Sequence, residues 1–95
     1  MKMIFEITPF GERRRLVKIQ GRDAWALSEL IKAGARGCTP IDNPAPRWSA
    51  YIFDLHNEHG INIQTINEPH GGQFAGTHAR YVLIDQVEIV EVQNA

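Results

Sequence analysis

The sequence predicts a small α+β domain, and three observations lead there. Its 95 residues suit one folded domain rather than two. Two stretches, 22–33 and 46–59, repeat apolar residues at helical spacing. Both ends instead carry short runs of strand formers punctuated by Gly and Pro. With 22% charged and 43% hydrophobic residues the composition matches folded proteins and argues against wholesale disorder.

Several classes fall away early. No apolar run reaches the ~18–20 residues of a membrane span, and Glu6 comes too soon for a signal peptide. A lone cysteine, Cys38, excludes an internal disulfide framework. The expected location is therefore the cytoplasm. The formal net charge of −1 conceals an uneven distribution. Residues 1–50 hold nine cations against five anions, a balance of +4. Residues 51–95 hold one cation against six anions, a balance of −5. Such polarity suggests one anion-facing side.

The elements follow in order. Met3, Phe5 and Ile7 alternate as one face of a strand, and Leu16, Val17 and Ile19 make a second. The turn 8–12 lies between them, so residues 1–20 form an N-terminal hairpin extension. Arg13, Arg14 and Arg15 sit at its turn. In the first helix, Leu27, Leu30, Ile31 and Gly34 fall at i, i+3, i+4 and i+7. Asp23 complements its dipole, and Gly34 and Gly37 mark its end. A short second helix is expected from Thr39. Thr39 is a good N-cap, Pro40 fits the first helical position and Asp42 the capping-box position. Pro44 limits it to about one turn, with Ile41 facing inward. The third helix spans 46–59, with Trp48, Ile52 and Leu55 on its apolar line and Gly60 as its stop.

After Gly60 the pattern turns to strands at 61–66 and 79–84, with a connection of about ten residues rich in Gly and Pro. A last strand over 87–92 would pair with the N-terminal hairpin or with another chain. The expected domain is 21–84, with 85–95 as a C-terminal strand or tail. Three helices followed by a hairpin is the order of a winged helix, although other packings of these elements are possible. The third helix, at ~13 residues and 1.5 Å per residue, is long enough to lie in a major groove.

Three blocks carry a resemblance: Gly21-Arg22-Asp23-Ala24-Trp25-Ala26-Leu27, then Gly37-Cys38-Thr39-Pro40-Ile41, then Pro46-Arg47-Trp48-Ser49-Ala50-Tyr51. With Glu68-Pro69-His70-Gly71-Gly72 and Gly76-Thr77-His78-Ala79-Arg80-Tyr81-Val82-Leu83, the chain resembles small bacterial and phage winged helix (helix-turn-helix) domain proteins over residues 20–84. The resemblance implies a DNA-binding fold. Many winged helices carry a basic residue after the leucine matching Leu55. Here that residue is His56, which gives up a fixed cation.

The candidate partner is double-stranded DNA, bound by a small phage or bacterial transcription regulator or accessory factor that could act as a homodimer. At the start of the third helix, Arg47 could take a guanine bidentately or clamp a phosphate. Ser49 and Tyr51 could donate to phosphates, Ala50 lies among them, and Asp54 could accept from cytosine. At the wing, His70, Gly71, Gly72, His78 and Arg80 could meet the backbone or minor groove. Arg36 and Thr39, with the amides of the second helix, are further phosphate candidates. The competing function is a protein–protein module using the same helix and wing. Neither zinc-ligand spacing nor a nucleophile or phosphate-loop motif occurs, so no metal, cofactor or enzymatic activity is expected.

Overall fold

The computed structural model describes residues 1–9, 11–73 and 75–93. Strand β1 (Lys2–Thr8) pairs antiparallel with β2 (Arg15–Gln20), as the alternation at 3, 5 and 7 implies. Met3, Phe5 and Ile7 all point into the core. Helix α1 (Gly21–Ala33) follows directly and buries Ala24, Ala26, Leu27 and Leu30. A single 3-10 turn, Gly34–Arg36, ends it. Helix α2 (Trp48–Asn57) is next, then the hairpin β3 (Ile63–His70) and β4 (Gly76–Leu83), then β5 (Gln86–Gln93). Strand β5 pairs antiparallel with the free side of β1, which gives a three-stranded sheet ordered β2-β1-β5. The wing β3-β4 is a separate two-stranded sheet.

The second of the three expected helices does not form. Its cap chemistry is present: the Asp42 amide donates to Thr39 Oγ1 at 2.9 Å. The Asn43 amide closes one turn on the Thr39 carbonyl at 2.9 Å. The turn goes no further. Pro44 has no N–H to donate and pushes Asn43 out of helical geometry, and Pro46 repeats the block. Ile41, expected inside, is 54% exposed.

Helix α2 is shorter than the 46–59 expected. Arg47 takes left-handed backbone angles (φ 76°, ψ 30°), so helical geometry begins only at Trp48. At the other end the Gly60 amide returns to the His56 carbonyl and the Ile61 amide to the Leu55 carbonyl. The buried face of α2 is Trp48, Tyr51 and Leu55, so Tyr51 points further inward than the apolar line suggested.

The wing strands run longer than expected. β3 continues through Pro69 to His70, and β4 resumes at Gly76, so the connection shrinks from about ten residues to 71–75. Pro69 is tolerated because β3 has no strand neighbour on its outer side among the described residues, and a missing N–H costs nothing there. One bridge ties the wing to the helices. Cys38 and Tyr81 exchange both backbone hydrogen bonds at 2.9 Å. Gly37 permits that approach, since a Cβ there would lie 2.5 Å from the Tyr81 carbonyl oxygen.

An aromatic cluster closes the core. Trp25 of α1 lies 5.4 Å from Trp48 of α2, and Trp48 stacks on Tyr81 of β4 at 6.0 Å. The Trp48 indole N–H donates to the Asn43 carbonyl at 2.7 Å, satisfying its one polar atom. This cluster fixes the angle between α2 and the wing.

Candidate nucleic-acid interface

The N-terminal end of α2 is built around Arg47. Its carbonyl accepts the Ala50 and Tyr51 amides and so starts the helix, while its side chain stays in solvent. Arg47 is the non-glycine residue with positive φ among the described residues. A side chain in that region costs roughly 1–2 kcal/mol relative to glycine. No ion pair or hydrogen bond occupies the Arg47 guanidinium among the described residues.

Arg22, absent from the sequence-derived candidates, joins it. Its guanidinium carbon lies 4.7 Å from the Trp25 ring centroid, and its Nε donates to the Tyr51 hydroxyl at 3.3 Å. Arg22 and Arg47 line one groove with Gln20, Ala50 and Asp54. Its i, i+3 relation to Trp25 on one helix was the available signal. Tyr51 itself is only 8% exposed, so its ring serves the core and its hydroxyl serves Arg22.

Two carboxyls temper this groove. The Asp23 pKa is raised, first by burial and then by the neighbouring Asp54 carboxyl and the charge of Glu58, with His59 opposing. Further along α2, Ser49, Phe53, His56 and Asn57 face outward, and all four are exposed. Phe53 is 64% exposed beside a shallow groove toward Ile63, Thr65 and Tyr81. The four outward positions include no lysine, arginine, aspartate or glutamate, and an aromatic ring stands at their centre.

The wing holds its charges inward. Cross-strand register sets Glu68 opposite His78 and Ile66 opposite Arg80, which puts Glu68, His70, His78 and Arg80 on one face. Arg80 grips Glu68 bidentately, Nε to Oε2 at 2.9 Å and Nη2 to Oε1 at 2.6 Å. A third N–H, on Nη1, donates to the Arg36 carbonyl at 2.8 Å. His78 Nε2 donates to Glu68 Oε1 at 2.7 Å, and its Nδ1 meets His70 Nδ1 at 2.9 Å. One of those two nitrogens must therefore carry the hydrogen and the other accept it. The Arg80 hydrogen bonds, reinforced by His78, hold the Glu68 carboxyl down at about 2.

The remaining candidates are placed as follows. Gly71 and Gly72 stand exposed at the wing tip. Arg36 is exposed, and its carbonyl is taken by Arg80. Thr39 is 1% exposed, its hydroxyl spent on the Asp42 amide, and the amides expected of a second helix are not presented as a helix end. Cys38 is fully buried, and burial pushes its thiol up to about 11, the opposite of an activated nucleophile. Arg15, part of the basic run, donates to the His59 carbonyl.

Among the described residues no helix is long and apolar enough to cross a membrane. Neither a curated protein nor a solved structure matches the chain. A family model for the winged helix domain does match, over residues 16–93. That span takes in β2, both helices, the wing and β5, and the chain belongs to the winged helix domain family.

Proposed function

We propose that this domain binds double-stranded DNA as a small transcription regulator or accessory factor of phage or bacterial origin. The N-terminal half of α2 enters the major groove, and the wing tip rests on the backbone. The observation that carries this reading is Arg47. It is an exposed cation with no ion pair among the described residues, kept in a strained conformation that glycine would adopt without cost, at the helix end that reads bases in this architecture. Arg22 adds a second cation beside it. At the wing, the backbone N–H groups around Gly71 and Gly72 supply phosphate donors, because the Arg80 and His78 side chains are held by Glu68.

The test is a fluorescence anisotropy titration of the protein against a random duplex. Binding is expected at ~20 mM salt and should fall steeply by ~200 mM, as phosphate contacts require. A second reading draws on Phe53, whose exposed ring on the outer helix face suits a protein partner. Absence of duplex binding at ~20 mM salt would select that reading, since low salt maximises phosphate contacts.

A further inference from the structure

Both edges of the β2-β1-β5 sheet lack a strand neighbour among the described residues, and they differ in charge. The register sets out rows on the outer face. Lys18 of β2 faces Ile4 of β1, which faces Glu91 of β5. Leu16 faces Glu6, which faces Glu88. The β2 edge thus presents Lys18 beside a 65% exposed Leu16. The β5 edge presents Glu88 and Glu91, with Val90, the extra residue of a bulge, 54% exposed.

Charged side chains on an edge ordinarily prevent strand pairing with another molecule. Here the protection has a direction. Two β2 edges brought together crowd their lysines along one seam, and two β5 edges their glutamates, both unfavourable. A β2 edge against a β5 edge brings Lys18 to Glu88 or Glu91 and sets Leu16 near Val90. The uneven charge of the chain, +4 in residues 1–50 and −5 in 51–95, has the same sense.

We infer that copies of this chain associate head to tail, the β2 edge of one joining the β5 edge of the next. The contact uses two different surfaces, so it leaves an open edge at each end and grows instead of closing as a two-fold dimer. It is independent of what α2 binds. On a linear partner such an array would present successive copies of the helix and wing side by side.

The experiment is sedimentation velocity on the full chain, without DNA, at rising concentration up to roughly 1 mM. At ~50 mM salt the weight-average mass should rise past that of a dimer, and at ~500 mM, where charges are screened, it should fall toward the monomer. K18E alone, and E88K/E91K alone, should each stay monomeric while melting cooperatively. Mixed in equal amounts, they should associate again, because each then meets an edge of opposite sign. A monomeric wild type at the highest concentration would overturn the inference. So would a closed dimer, variants that assemble like the wild type, or a mixture that stays monomeric.

Discussion

Two arginines beside the same aromatic core have opposite circumstances. Arg80, on the wing, has Glu68 across the hairpin and the Arg36 carbonyl above it, and three of its N–H groups are engaged. Arg47, at the start of α2, forms no ion pair among the described residues and has a backbone conformation that strains it. In the sequence both were simply cations near a reading helix. The structure makes one an anchor that holds the wing to the 36–42 turn and leaves the other available to a partner. A cation's usefulness for recognition thus depends on whether a carboxylate is bonded to it.

The largest effect expected from this contrast is on binding. Arg47→Ala should weaken duplex binding by about 1–3 kcal/mol, roughly 5- to 150-fold, with an unchanged melting temperature. Arg80→Ala should do the reverse in kind: it lowers the melting temperature and speeds amide exchange in 63–70 and 76–83, and affinity falls only as the wing loosens. Equal melting curves for wild type and Arg80→Ala would show that the anchor is ornamental.

The next effect is on stability alone. Arg47→Gly relieves a left-handed side chain and should stabilise the fold by about 1 kcal/mol while losing the same contact to DNA. A denaturant titration reads the first part. A destabilised Arg47→Gly would mean that the side chain packs on α2 instead of waiting for a partner.

The smallest effect is the acid response. Glu68 is held at about 2 against an ordinary 4.5, so its folded pKa is depressed. The stability it lends is complete above pH 4.5 and is lost as the pH falls from there toward about 2. Asp23 works in the opposite sense, because its raised pKa makes protonation favour the folded state. Amide exchange measured between neutral pH and pH 3, corrected for intrinsic rates, should therefore show protection falling first in the wing and not at the start of α1.

Much of the fold was legible in the sequence, for reasons tied to particular residues. The alternation at Met3, Phe5 and Ile7 gave β1, and the spacing of Leu27, Leu30 and Ile31 gave α1, because each pattern has a single period. Thr39 correctly signalled a capping hydroxyl. The helix it should have started was not legible, because one turn bounded by Pro44 and Pro46 has too few hydrogen bonds to repay its nucleation. The site was harder to read. Arg47 was identifiable as a cation at a helix start, but its left-handed backbone was not. The engagement of His78 and Arg80 depends on the strand register, and a strand extended through Pro69 to His70 sets it. Arg22 escaped notice because its importance comes from the Trp25–Trp48–Tyr51 cluster, a tertiary arrangement.

The comparison is tested most directly by one paired measurement, the salt dependence of duplex binding for Arg47→Ala and Glu68→Gln beside the wild type. Arg47→Ala should lose about one phosphate contact, so the slope of log affinity against log salt becomes shallower by about 1. Glu68→Gln releases Arg80 and removes a negative charge from the wing, so its slope should stay as steep or steepen, even as its melting temperature falls. An Arg47→Ala protein with the wild-type slope and affinity would contradict the account.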